Sequence, residues 1–231
     1  MRSSSSPPLR PRARVLGLFA KWPTPATVKT RLADDPGWRV RVAQAFLLDT
    51  LQRFAAVDAH RVLAFAPVER EADFAAVASG RYHLTPQGEG HLGQRLAFFV
   101  DQYLAVGARA VVVVGTDSPT LPIEYIERAF ADLENADVVL GPATDGGYYL
   151  IGCGSDHPPL FENISWSSCR VLAETVASLT DPRWRLSLLP PWYDVDTPHD
   201  WTMLCGHLAA LRRAGIDPHV PHTEALLREP R

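Results

Sequence analysis

The chain has 231 residues, 46% of them hydrophobic and 21% charged, with a net charge of -3 at neutral pH. That length and balance suit one α/β domain with a full core, and the absence of a Lys/Arg stripe argues against a nucleic-acid partner. The three cysteines, Cys153, Cys169 and Cys205, form no CxxC and no zinc-ligand spacing, which fits reduced thiols in a cytoplasmic protein better than a disulfide framework.

In chain order, residues 1 to 13 are rich in Ser, Pro and Arg and read as a disordered tail. The apolar stretch that follows, Val15 to Ala20, is too short for a signal peptide or a membrane span and reads as a buried strand over Val15 to Phe19. Helical spacing of apolar residues covers 38 to 57, and Arg61 to Ala66 reads as a second strand. A short helix near Ala72 to Ala78 and a longer one over His91 to Val106 come next. Ala110 to Val114 carries four consecutive valines, the pattern of a strand covered on both faces. Pro122 to Leu133 and Ser167 to Leu179 read as helices. Val138 to Leu140, Tyr148 to Ile151 and Arg185 to Leu189 read as strands. The last main helix opens on Thr197-Pro198-His199-Asp200, with Thr as N-cap and Pro in the first turn. The alternation predicts one domain over 14–231, α/β, with a mostly parallel sheet and helices on both faces.

In such sheets ligands bind beyond the carboxyl ends of the strands, and polar residues just past strong strands are the first candidates. After the first strand, Lys21, Lys29 and Arg31 share one loop. Three cations there suit a pyrophosphate, although a solvated basic loop reads equally well. After the valine strand comes Gly115-Thr116-Asp117-Ser118-Pro119. A carboxylate so placed suits Mg²⁺ or Mn²⁺, or it caps the turn. Before the last helix, Asp194 and Asp196 stand at i and i+2, so an extended segment would project both from one face. Taken alone, this acidic turn reads first as a helix cap. Gln87, Gly88 and Gly90 form a flexible turn in which Gln87 could meet a base edge. Asp145-Gly146-Gly147 offers close access and a carboxylate, or simply a hairpin. Trp166 and Tyr149 are candidates to stack on a sugar, though aromatic residues of this kind are more often core.

Taken together and in order, AKWPTPATVKTRLA, PQGEGHLGQRL, VVVVGTDSPTLP, DGGYYLIG and LPPWYDVDTPHDW resemble the bacterial DUF2064 family over roughly residues 14 to 205. Its members are described as candidate glycosyltransferases of the GT-A, nucleotide-diphospho-sugar transferase fold. A more distant resemblance is to nucleotidyltransferases of that fold. The resemblance implies phosphate binding by Lys29 and Arg31, a base-binding turn at Gln87 to Gly90, and a metal held by Asp117 and Asp196. GTDSP departs from the usual glycosyltransferase DxD in offering a single carboxylate. The expectation is a glycosyltransferase that needs Mg²⁺ or Mn²⁺ and uses a nucleotide-sugar donor and a small-molecule acceptor. In it Asp145 serves as base, Thr116, Gly146 and Gly147 border the nucleotide, and Asp194 is the reserve ligand. A nucleotidyltransferase and a non-catalytic nucleotide-binding module are the alternatives. The carboxylates of Asp117 and Asp196, far apart in sequence, are expected within about 6 Å of one another, where nearby charges act strongly.

Overall fold

The computed structural model describes residues 13–26 and 28–228. The N-terminal tail falls almost wholly on residues 1–12, outside the described residues. Ala13 is described, and its carbonyl accepts the Arg109 N–H at 2.9 Å.

Seven strands form one sheet in the order β3-β2-β1-β4-β6-β5-β7. These are β1 (Arg14–Lys21), β2 (His60–Ala66), β3 (His83–Pro86), β4 (Ala110–Val114), β5 (Val138–Pro142), β6 (Tyr148–Gly154) and β7 (Leu186–Leu188). β1 lies parallel to β2 and β4, and β2 to β3. β6 is inserted antiparallel between β4 and β5. β7 is parallel to β5. Two antiparallel pairings in succession restore the original direction, so β4, β5 and β7 all present their carboxyl ends at the same edge.

The valine run sits where a continuous apolar strand belongs. β4 occupies the middle of the sheet, and all five of its residues are buried. Alternate side chains enter opposite cores, as the two-residue period requires. Val112 and Val114 join a cluster with Leu47, Leu51 and Phe54 of α1 (Pro36–Phe54), Phe74 of α2 (Glu71–Ala78) and Ile126 and Phe130 of α4 (Ile123–Asp132). Val111 and Val113 join Leu96, Phe99, Val100 and Tyr103 of α3 (Leu92–Ala105) on the other face, where Leu172 of α5 (Val171–Ala177) also packs. Gly17 in β1 is required by this second core, because a Cβ there would lie 2.4 Å from the Phe99 ring.

A third cluster joins the outer side of α1, through Val42 and Phe46, to Trp201, Leu204 and Leu208 of α6 (Pro198–Arg213) and Leu226 of α7 (Pro221–Leu227). The sequence reading lacks β3 and α7 and makes α5 too long. β3 is a four-residue edge strand with no buried residue, so no apolar run marks it. α7 has seven residues, too few for a helical period to stand out. Among the described residues, no helix is long and apolar enough to cross a membrane.

Candidate active site

The loop after β1, the turn after β4 and the segment before α6 meet at the carboxyl edge of the sheet. The Val195 N–H donates to the Asp117 carbonyl at 2.9 Å, so the two acidic segments touch through their backbones. Upstream, the Trp192 N–H donates to the Pro142 carbonyl and the Thr144 N–H to the Trp192 carbonyl, which carries the segment from β7 along the end of β5 toward β4. A capping box then anchors it. The Asp200 carboxylate accepts the N–H groups of Asp196 and Thr197 at 3.1 and 2.8 Å, while the Thr197 hydroxyl accepts the Asp200 N–H. Asp196 is thereby fixed one residue ahead of the helix N-cap.

Asp117 and Asp196 converge on a common cation, the ammonium of Lys29. Its Nζ lies 2.6 Å from Asp117 Oδ1 and 3.6 Å from Asp196 Oδ1, and it donates to the Val195 carbonyl at 2.7 Å. It also sits 4.7 Å above the Phe46 ring. The Lys29 side chain is 3% exposed, whereas that of Asp117 is 52% exposed. Arg31 approaches Asp196 from the solvent side, Nη2 to Oδ2 at 3.1 Å. Burial raises the Asp196 carboxyl above its ordinary pKa, and the neighbouring Asp117 charge adds to this, while Lys29 and Arg31 oppose it. Lys29 and Arg31 thus neutralise carboxylates in this state instead of standing free for phosphate.

Two cavities adjoin at Asp117. The first, about 420 Å³, is bordered by Lys21, Lys29, Arg31, Thr116, Asp117 and Asp196. The second, about 220 Å³, is bordered by Asp117, Ser118, Asp194 and mostly apolar residues such as Leu96, Val113, Tyr148 and Tyr149. Among the described residues, no Lys, Arg or His lines the second cavity. A larger hollow between Arg53, Glu124, Arg212 and Glu224 lies away from both and holds none of the expected site residues.

Several expectations change on contact with this geometry. Asp194 does not share a cavity with Asp196. It accepts a hydrogen bond from the Ser118 hydroxyl and borders the second pocket, so the two side chains serve different hollows. Its carboxyl is pushed up to about 7, first by burial and then by Asp117, Asp145 and Asp196, with the Ser118 hydrogen bond opposing. Gln87 is buried and donates to the carbonyls of Ala20 and Ala64 at 3.1 and 2.9 Å, while its carbonyl accepts from Arg95. Its amide therefore ties together β1 and β2 with both N–H donors engaged, and the residue borders the first cavity. Gly88 and Gly90 hold positive φ of 80° and 92° in the turn that follows. They border neither cavity.

Asp145 also lies outside both linings. It is exposed, and its carboxylate accepts the Gly147 N–H at 2.9 Å, closing its own turn. Gly146, at φ 91°, is required there, since a Cβ would lie 2.2 Å from the Cys169 carbonyl oxygen. Gly146 and Gly147 serve that turn and border neither cavity. Tyr149 is buried, with its hydroxyl donating to the Pro190 carbonyl at 2.9 Å. Trp166 packs edge-on against Tyr148. Sequence reasoning passed over Ser118, which holds Asp194; Asp200, read from the sequence as an acidic residue suited to the helix start, closes a capping box with Thr197.

The carboxylate pair suits a hard divalent cation. Both groups reach one cationic nitrogen, and magnesium is commonly held by one or two carboxylates with substrate phosphates and water completing its shell. Among the described residues, no group of three or more His, Cys, Asp or Glu could hold a metal unaided, so the remaining ligands would come from substrate and solvent.

A mostly parallel sheet with an inserted antiparallel strand, and an acidic–basic cleft at its carboxyl edge, define the nucleotide-diphospho-sugar transferase fold class. A crystal structure from Desulfovibrio desulfuricans G20, described as a candidate nucleotide-diphospho-sugar transferase, is similar at 31% identity over 93% of this chain and 96% of that one, with a TM-score of 0.81. Fold alone is shared with CMP:2-keto-3-deoxy-manno-octonic acid synthetase complexed with CTP, at 13% identity, TM-score 0.54, covering 86% of this chain and 99% of that one. It is likewise shared with 4-diphosphocytidyl-2C-methyl-D-erythritol synthase from Anaerococcus prevotii DSM 20548, at 10% identity, TM-score 0.53 and the same coverages of 86% and 99%. A comparison with curated proteins gives no match. The family described as "Uncharacterized protein conserved in bacteria (DUF2064)" matches residues 48–168, and this chain belongs to it.

Proposed function

We propose that this protein is a glycosyltransferase that binds a nucleotide-diphospho-sugar with Mg²⁺ or Mn²⁺ and transfers the sugar to an uncharged small acceptor. The observation that carries the reading is the pairing of two unlike cavities across Asp117. One is lined by carboxylates and cations, and the other is largely apolar and, among the described residues, has no Lys, Arg or His to meet a phosphate. A diphosphate fits the first, where Lys21 and Arg31 offer charge and Asp117 and Asp196 offer metal ligands. A divalent cation bound there would neutralise charge growing on the leaving diphosphate. Arg31 would turn its planar guanidinium from Asp196 to a phosphate oxygen, a contact that strengthens as the leaving group gains charge.

The second cavity would receive the sugar and acceptor. Apolar walls there suit a sugar face and exclude water, and Asp194 would accept a hydrogen bond from an acceptor hydroxyl. A phosphorylated acceptor, which nucleotidyl transfer needs, would face Asp117 and Asp194 without a basic partner. That favours sugar transfer over nucleotidyl transfer.

A thermal-shift screen of nucleoside diphosphates, nucleotide sugars and nucleoside triphosphates, with and without Mn²⁺, finds the ligand through the stability that binding adds. The expected result is stabilisation by a nucleoside diphosphate or its sugar that depends on Mn²⁺, followed by release of nucleoside diphosphate during turnover. Pyrophosphate release from a triphosphate would assign nucleotidyl transfer instead. Binding without turnover of any donor would mark a binding module.

A further inference from the structure

Lys29 occupies the place where a cation shared by Asp117 and Asp196 belongs. Its ammonium contacts Asp117 at 2.6 Å, the Val195 carbonyl at 2.7 Å and the edge of Asp196 at 3.6 Å. A magnesium ion touching both carboxylates at about 2.0–2.1 Å would overlap that nitrogen. The residue is also unusual as a loop lysine. It is buried, lies over Phe46, and holds a left-handed backbone at φ 45° that non-glycine residues seldom adopt. Buried ammonium groups are costly unless paired, and here the pairing partners are the carboxylates a metal would use. Surrounding contacts therefore aim this side chain at the carboxylates.

We propose that Lys29 is an internal counter-cation that holds the Asp117–Asp196 pair in the metal-free protein and must leave it before a divalent ion can bridge them. This rests on the metal reading above and deepens it. In the displaced state the ammonium remains at the wall of the same cavity, where the diphosphate is the available anion. Phosphate thus draws Lys29 away from the carboxylates, and the vacated carboxylates take the metal. The consequence is coupling: metal and nucleoside diphosphate each bind poorly alone and well together, by the same factor in both directions.

The test measures Mn²⁺ binding without nucleotide, by the loss of the free-ion paramagnetic resonance signal. It uses wild type, Lys29→Met, Lys29→Gln and Asp196→Asn, with circular dichroism as the check on folding. Lys29→Gln keeps a neutral donor for the Val195 carbonyl, so it protects against a variant lost to misfolding. Both Lys29 variants should bind Mn²⁺ alone at least about tenfold more tightly than wild type, the factor that 1.4 kcal/mol of relieved competition gives. Asp196→Asn should bind weakly whether or not nucleotide is present. In wild type, the nucleoside diphosphate found in the screen should raise Mn²⁺ affinity, and in the Lys29 variants that gain should shrink. Equal Mn²⁺ affinity in wild type and both Lys29 variants would overturn the exchange while leaving a metal site at the aspartates intact. No Mn²⁺ binding by any protein, even with nucleotide, would overturn both.

Discussion

Two carboxylates in this molecule are satisfied in opposite ways. Asp49, on α1, is 0% exposed and accepts the backbone N–H groups of His222 and Thr223 at 3.0 and 2.8 Å, pinning the first turn of α7. Its partners are backbone groups that cannot rotate away. Asp117 is half exposed at the rim of two cavities, and its Oδ1 is held by the movable ammonium of a lysine. Fixed backbone donors make a joint. A side-chain cation beside open volume makes a site that can exchange partners. Burial alone would have ranked Asp49 first, so the kind of donor and the space beside it discriminate better than depth.

The comparison breaks most visibly at Asp49. Asp49→Ala leaves two donors at the α1–α7 junction unpaired, a loss on the order of 3 kcal/mol. For a domain of this size that lowers the melting temperature by about 6 to 12 °C. Unchanged melting would show that α7 does not depend on this joint. Asp117→Asn should melt closer to wild type than Asp49→Ala, because its partner lysine retains Asp196 and the Val195 carbonyl.

Asp194 sharpens the same contrast through pH. Its carboxyl is raised from 3.8 to about 7, so between those values the native state holds a proton that the unfolded chain releases. Stability then falls as pH rises through that interval. Asp194→Asn removes this term. Its stability advantage over wild type, followed by denaturant melts in metal-free buffer, should grow between about pH 4 and pH 7 and stay level above. A difference that does not change with pH would place Asp194 in a wetter setting. The smallest effect belongs to Arg31, whose side chain is 69% exposed. Arg31→Ala should weaken nucleoside diphosphate binding by less than about tenfold and reduce its salt sensitivity. Equal salt dependence in both proteins would make Arg31 a solvated bystander.

Much of this arrangement was legible in the sequence where one residue's chemistry coincided with a strong local pattern. Four valines in a row gave a central strand, and a carboxylate just beyond it could only lie at the sheet edge. Thr197-Pro198 marked the start of α6 and so located Asp196. The less legible features depend on partners distant in the chain. Gln87 looked like a base reader because its turn is rich in glycine, yet the carbonyls at 20 and 64 claim its amide. Asp194 and Asp196 share a spacing but not a cavity, since Ser118 draws Asp194 to the other side of Asp117. Lys29 and Arg31 stand two residues apart in sequence, and contacts with Phe46, Asp117 and the Val195 carbonyl separate the buried one from the exposed one. Asp145 closes its own turn, as its hairpin reading has it.

The central claim is that Asp117 and Asp196 together make a metal-dependent nucleoside diphosphate site. Calorimetric titration of the diphosphate selected by the screen, with and without Mn²⁺, into wild type, Asp117→Asn and Asp196→Asn tests it most directly. Wild type should bind in a Mn²⁺-dependent manner, and each variant, folded as judged by its melting curve, should lose that dependence. Mn²⁺-dependent binding of wild-type strength in both variants would contradict the account.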